Sequence, residues 1–265
     1  MIPKIIHQIG PKFRSKWHPA WKVCHDTWLR KFEDFEIKIW NDSDDLDSFI
    51  EEKYPERYEF YKNLPYHMIK MDFSRYAILN YYGGIYADLD MYCYENFYEI
   101  LDNQVCLIEP IDFDNNEGDM IMGCLMASKP DHLFWQECMN RSEEVYNSID
   151  KEKLSNYLNV FDSFSEILEI GGPKLIFNVY TNFSNKEQVQ LLSKDYFHPD
   201  VGTYFDGMKT KHMKTMVWGE ESMQLFESGF KNLNLNYEDG MKNLYQHIRG
   251  VDLDNYEYDK NYYES

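Results

Sequence analysis

The chain has 265 residues and carries 46 Asp and Glu against 27 Lys and Arg, a formal charge of -19 spread along its length. That balance excludes nucleic acid or an anionic membrane as the main partner, because both require a basic footprint. The length suits one large α/β domain with a substantial core, and the 17% aromatic content, with 22 tyrosines, leans toward a sugar-handling cleft.

Met1-Ile2-Pro3-Lys4 is too polar for a signal peptide, and no run is long enough to span a bilayer. The expectation is a soluble cytoplasmic protein, with peripheral membrane association open through a partner. The cysteines Cys24, Cys93, Cys106, Cys124 and Cys138 form no Cys-x-x-Cys pair and no zinc-like cluster with histidine, so they read as reduced, mostly buried thiols.

Residues 2–9 are apolar and β-branched and stop at Gly10-Pro11, a first strand. Trp21, Cys24, Trp28 and Phe32 then recur at helical spacing over 18–32, with Pro19 suited to the first turn. Residues 35–40 alternate as a second strand, and Asn41-Asp42-Ser43-Asp44 supplies cap chemistry for a helix through Lys53. Strand, helix, strand, helix opens a doubly wound sheet. Residues 66–82 form one long helix with Met68, Met71, Arg75, Ile78, Leu79 and Tyr82 on a stripe and Gly83 as its stop. On it Asp72 and Arg75, three apart, are neighbours at the edge of a core.

The next stretch, Gly83-Gly84-Ile85-Tyr86-Ala87-Asp88-Leu89-Asp90, is the focus of the sequence. Read as an extended strand it turns Ile85, Ala87, Leu89 and Met91 to one face and Tyr86, Asp88 and Asp90 to the other. Two carboxylates that close repel, and a divalent cation relieves them. Asp-x-Asp spacing also occurs at Asp42/Asp44, Asp45/Asp47, Asp112/Asp114 and Asp252/Asp254, but only Asp88/Asp90 lies in an apolar strand pattern. Ligands of open α/β sheets bind beyond the carboxyl ends of strands, where this pair falls.

Further strands are expected at 105–109 and 120–127, then a helix from a cap at 128–131 to about 146, and a loosely helical polar stretch over 147–162. Gly171-Gly172-Pro173 opens a helix through Tyr180, either presenting N–H groups to an anion or simply turning tightly. Residues 189–192 and 196–199 read as short strands. The most basic run, Lys209-Thr210-Lys211-His212-Met213-Lys214, reads as a solvated loop or a phosphate holder. A late strand at 243–248 carries His247, and the tail beyond is acidic and tyrosine-rich.

Four stretches together resemble the DXD-containing sugar transferases of glycosyltransferase family 32: Ile2-Pro3-Lys4-Ile5-Ile6-His7-Gln8, Ile39-Trp40-Asn41-Asp42, Asp72-Phe73-Ser74-Arg75-Tyr76 and Gly83 through Asp90. That family includes yeast mannosyltransferases and bacterial capsular polysaccharide enzymes, and the catalytic domains of clostridial glucosylating toxins share its core. The resemblance is strong over residues 1–95 and continues at Met126-Ala127-Ser128-Lys129-Pro130, Gly172-Pro173 and His247.

It implies a single-domain GT-A fold over 1–250, with a nucleotide-sugar-binding half (1–95), an acceptor-side half (96–250) and a tail at 251–265. It further implies a UDP- or GDP-sugar donor, a divalent metal (manganese or magnesium), a glycan or other hydroxyl acceptor, and retention of configuration. Carried over by residue, Asp88 contacts donor and metal, and Asp90 is the direct metal ligand. Asp72 and Arg75 bind the donor sugar and phosphate side with Tyr86 nearby, His7, Gln8 and Ile9 line the nucleotide pocket, and His247 is a third metal or phosphate ligand. A glycoside hydrolase is the enzymatic alternative, but its two acids flank a bond at about 5 Å or more, which adjacent positions on one strand fit less well than a metal clamp. A non-catalytic nucleotide-sugar or carbohydrate-binding module is the other alternative.

Overall fold

The computed structural model describes residues 1–17, 19–113, 118–150, 164–199, 205–213 and 262–263. In chain order the elements are β1 (Ile5–Gly10), α1 (Pro19–Lys31), β2 (Glu36–Asn41), α2 (Asp44–Lys53), α3 (Pro55–Lys62), α4 (His67–Tyr82), β3 (Gly84–Ala87) and β4 (Met91–Cys93). They continue as β5 (Val105–Ile108), β6 (Ile111–Phe113), β7 (Gly118–Met120), β8 (Leu125–Ser128), α5 (Leu133–Ser148), α6 (Phe164–Ile170), α7 (Pro173–Asn182), β9 (Val189–Leu192), α8 (Lys194–Phe197) and β10 (Thr210–His212).

The chain forms two compact units, one of Met1–Lys12, Asp34–Asp88 and Phe97–Lys194, the other of Phe13–Glu33, Leu89–Asn96 and Asp195–Ser265. The first contains a six-stranded sheet in the order β2-β1-β3-β8-β5-β9. β1 runs parallel to β2 and β3, β8 is antiparallel to both β3 and β5, and β5 is parallel to β9. This mixed sheet flanked by helices is the expected α/β, GT-A arrangement. Its core draws on Ile9, Trp40, Phe73, Tyr86, Leu107 and Trp135, all buried. α4 differs from the expected stripe: every residue from Asp72 to Asn80 is buried. A helix enclosed on all sides has no solvent face for charge, so each polar side chain on it needs a partner. Asn80 accepts from the Tyr54 hydroxyl (2.9 Å) and donates to the His132 carbonyl (3.2 Å).

The second unit packs α1 beside a two-stranded antiparallel sheet of β4 and β10. The Trp28 indole donates to the Met91 carbonyl (2.7 Å), and the Cys93 N–H donates to the Thr27 hydroxyl (2.9 Å). On α1, His25 stacks with Tyr262, and the Tyr263 hydroxyl donates to the Lys22 carbonyl (2.9 Å). All five cysteines are free and buried, as expected. Among the described residues no helix is long and apolar enough to cross a membrane.

Several boundaries differ from the sequence reading. The strand expected over 83–90 stops at Ala87, and Leu89 and Asp90 lie in a turn, because the chain leaves the six-stranded sheet there and joins the β4–β10 sheet at Met91. The strand expected over 120–127 is the end of β7 and all of β8, separated by a turn through Gly123. Residues 196–199 lie at and after the short helix α8 rather than in a strand, and the basic run contains β10 with Thr210 and Lys211 buried. The helices α3 and α6 were not expected. The strand and histidine read at 243–248, and most of 147–162 and 251–265, lie outside the described residues.

The passage from α4 into β3 is made by two glycines with positive φ, Gly83 (64°) and Gly84 (91°). A Cβ on Gly84 would lie 2.5 Å from the Ile5 carbonyl oxygen, and one on Gly83 would lie 2.7 Å from Ser128 O and Pro130 N. Left-handed backbone and a contact with immovable backbone combine at both positions. Gly84→Ala is therefore expected to lower unfolding free energy by at least about 2 kcal/mol, read as a shifted urea midpoint. An unchanged midpoint would refute this packing.

Candidate active site

α4 and β3 converge on one buried cation. Asp72 and Arg75 sit one helical turn apart on α4, and Asp88 follows the last residue of β3. Arg75 Nη1 lies 3.2 Å from Asp72 Oδ1, and Nη2 lies 3.3 Å from Asp88 Oδ1. Nη1 also donates to the Gly123 carbonyl (3.3 Å). The guanidinium sits over the Tyr86 ring, 5.1 Å from its centroid, and the Tyr86 hydroxyl donates to Asp88 Oδ1 (2.7 Å). Asp88 is anchored through its own N–H, which donates to the Cys124 carbonyl (2.9 Å). Four of the expected residues, Asp72, Arg75, Tyr86 and Asp88, thus form one network. Arg75 Nε is buried without a partner among the described residues, so the guanidinium keeps a donor in hand.

The loops around this network are shaped to it. A Cβ on Gly123 would lie 3.2 Å from Arg75 Nη1, and one on Gly171 would lie 3.1 Å from Asp72 Cβ. Gly172 is the N-cap of α7, with Pro173 in its first turn, and the Tyr76 hydroxyl donates to the Gly171 carbonyl. At both glycines close packing leaves little room for a side chain, against Asp72 and Ile69 at Gly171 and against Leu168 at Gly172.

His7, Gln8 and Ile9 are buried in β1. His7 Nδ1 accepts from the Trp40 indole (3.1 Å), which leaves Nε2–H to donate to the Gly83 carbonyl (3.0 Å). Burial holds this imidazole down at about 4, the Gly83 bond pulling upward and Lys38 downward, so it is neutral at pH 7 and fixes the end of α4 to β1.

Asp90 belongs to the second unit. Its carbonyl accepts from the Met213 N–H (2.9 Å), and the β4–β10 ladder pairs Met91 with His212. That register sets His212 Nε2 3.2 Å from Asp90 Oδ1, and Asp90 is buried. His247 lies outside the described residues. His212 is the residue that the sequence reading missed: the charge of its neighbours Lys209, Lys211 and Lys214 masked it, and only the partnership of β10 with β4 reveals it. Two donor atoms on one octahedral cation with bonds of about 2.1 Å are separated by about 3 Å. A carboxylate oxygen and an imidazole nitrogen at 3.2 Å fit that spacing.

Residues 19–107 match the family described as "Glycosyltransferase sugar-binding region containing DXD motif". The chain is similar to "Uncharacterized glycosyltransferase L373" of Acanthamoeba polyphaga mimivirus, 36% identical over 201 residues, covering 75% of this chain and 74% of the relative. It is 30% identical over 142 residues to "Mannosyl phosphorylinositol ceramide synthase SUR1" of Saccharomyces cerevisiae, covering 52% of this chain and only 34% of that protein. In fold it is similar to the ligand-free glycosyltransferase domain from the YGT toxin, with a TM-score of 0.54 at 8% identity over 94% of this chain and 90% of that one.

Burial raises the Asp72 carboxyl from its ordinary 3.8 to about 7, with Arg75 pulling it down and Asp88 pushing it up. Burial also lowers the Arg75 guanidinium, but Asp88, Tyr86 and Asp72 more than offset this, so it stays charged. Between pH 4 and 6.5, folded Asp72 holds a proton that the unfolded chain has released, a contribution present at low pH and lost as pH rises through 7. His7, and His25, which burial and Arg14 hold down at about 3, act in the opposite sense. Their stability is present above 6.5 and lost as pH falls. Asp72→Asn removes only the opposing group. Its plot of unfolding free energy against pH should therefore be steeper than that of the wild type by one proton, about 1.4 kcal/mol per pH unit. Urea titrations at pH 5, 5.5 and 6 test this, and identical slopes would exclude a protonated Asp72.

Proposed function

The chain belongs to the glycosyltransferase family whose sugar-binding region contains the DXD motif, and we propose that it is a metal-dependent transferase moving a hexose from a UDP- or GDP-sugar to a hydroxyl acceptor. The observation that carries this is the Arg75 network: a fixed cation flanked by a tyrosine and two carboxylates, one of them the first of the Asp-x-Asp motif. Asp72 and Asp88 accept from sugar hydroxyls, and Arg75 uses its remaining donor capacity on the sugar or phosphate side. His7, Gln8 and Ile9 support the strand beneath the nucleotide.

Asp90 and His212 are the ligands proposed for the divalent cation, and Asp88 is proposed to contact the donor. A divalent cation held by these two residues would supply positive charge against the negative charge developing on the departing nucleoside diphosphate. Arg75 assists by electrostatic stabilisation in a buried setting, where a fixed charge acts more strongly than in water. The proposed outcome is retention: the acceptor oxygen attacks the anomeric carbon from the face that the diphosphate leaves, and its proton passes to the departing phosphate oxygen. No side chain of the Arg75 network stands as a free nucleophile, since both of its carboxylates are engaged by Arg75. The name of the yeast relative puts a mannosyl donor and an inositol phosphoceramide acceptor among the first combinations to try, alongside glycan acceptors.

Incubation with Mn2+ and a panel of UDP- and GDP-sugars, with and without acceptors, should release nucleoside diphosphate from one donor. Asp90→Asn should lower kcat/KM roughly 100-fold or more, and EDTA should abolish turnover. Activity that persists in EDTA refutes the metal, and an inverted anomeric configuration in the product, read by NMR, refutes retention.

A further inference from the structure

In the second unit a second imidazole lies behind the first. His212 Nε2 faces Asp90, and its other ring nitrogen, Nδ1, lies 3.3 Å from His198 Nε2, with the ring centroids 5.3 Å apart and the planes tilted by 54°. His198 directly follows α8 and is 6% exposed. Backbone and hydroxyl bonds independent of either ring tie its segment to β10: Thr210 Oγ1 donates to the Phe197 carbonyl (2.6 Å), and Lys209 N–H to the Tyr196 carbonyl (2.8 Å). The spacing of the two imidazoles is therefore built into the backbone.

Two ring nitrogens bonded to each other share one proton, and which of them carries it decides what His212 offers on its far side. If His212 bears the proton on Nδ1 and donates it to His198 Nε2, its own Nε2 presents a lone pair toward Asp90. If His198 is the donor, His212 carries its proton on Nε2, hydrogen-bonds to Asp90 and has no lone pair for a cation. An imidazole that ligates a metal generally donates its other N–H to an acceptor that fixes its tautomer and orientation.

We propose that His198 is a positioning residue for the cation site, accepting the Nδ1–H of His212 so that Nε2 is held as a ligand beside Asp90. This rests on the reading of Asp90 and His212 as cation ligands. In this assignment His198 acts through His212.

The test uses the full chain without donor and follows Mn2+ binding by loss of the free-ion EPR signal. His198→Leu, which removes the acceptor, should weaken Mn2+ binding about 10- to 100-fold. His198→Gln, whose amide oxygen can accept the same proton, should stay within about 3-fold of the wild type. At saturating Mn2+ the kcat of His198→Leu should recover, because the defect is in holding the cation. Unchanged Mn2+ affinity in His198→Leu, or a His198→Gln variant as weak as His198→Leu, overturns the inference while leaving the cation reading intact. Wild-type affinity in both Asp90→Asn and His212→Ala overturns the cation reading and this inference with it. Should His198→Leu not fold, 15N NMR of histidine-labelled wild-type protein decides the tautomer. A proton on Nδ1 of His212 supports the assignment, and a proton on Nε2 refutes it.

Discussion

The first unit depends on keeping one guanidinium charged inside a helix that has no solvent face. Arg75 lies among α4 residues that are all buried, and taking such a charge out of water costs several kcal/mol unless its partners are close and well aimed. Its partners come from four places: Asp72 on the same helix, Asp88 after β3, the Gly123 carbonyl in the turn before β8, and the Tyr86 ring in β3. Two of them, Asp88 and Gly123, lie outside the helix and strands. Gly123 has to approach without a side chain, and Gly171 has to pass Asp72, so two turns far apart in sequence are fitted around one ion cluster. Two carboxylates for one cation would leave the cluster negative. Burial, with Asp88 adding to it, displaces the Asp72 carboxyl upward and so relieves that excess.

The same logic extends to the start of β3. The helix must stop and reverse within two residues for the sheet to receive Ile85 and Tyr86, and Gly83 and Gly84 provide the left-handed backbone for this. The carbonyl of Gly83 needs a donor inside the protein, and the neutral His7 supplies it while taking the Trp40 indole on its other nitrogen. An imidazole in a first strand invites a nucleotide-binding reading. Here both nitrogens are already committed to geometry, so any service to the nucleotide is indirect.

Much of this was legible from local pattern. Strand-like residues at 35–40 and 105–109, the helical period before Gly83, and the i,i+3 pair Asp72 and Arg75 depend on near neighbours, and the structure places them as expected within a residue or two. What was not legible depends on partners distant in sequence. Nothing in the run from Met120 to Ala127 says that the chain must turn at Gly123 to offer a carbonyl to a helix some 50 residues earlier. Nothing in a lysine-rich run says that Thr210 and Lys211 are buried by pairing with β4. His212 was hidden for that reason, since charge composition describes a segment as it would be in solvent, whereas its role follows from the strand beside it.

The two carboxylates of the motif, identical in type and separated by one residue, have different surroundings. Asp88 receives a guanidinium and a phenol on the same oxygen, donors that hold a carboxylate still and disperse its charge. Asp90 faces an imidazole nitrogen that either donates or offers a lone pair, a neighbour able to act alongside it as a ligand. A carboxylate already stabilised by fixed donors gains less from a cation than one whose neighbour is itself a ligand. Environment thus makes the two carboxylates of one motif unlike, with Asp88 held by fixed donors and Asp90 paired with an imidazole. The alternation of a strand cannot express that asymmetry; the end of the ladder at Ala87 creates it, because Asp88 and Asp90 both lie beyond the strand and each carboxylate answers to a different set of partners.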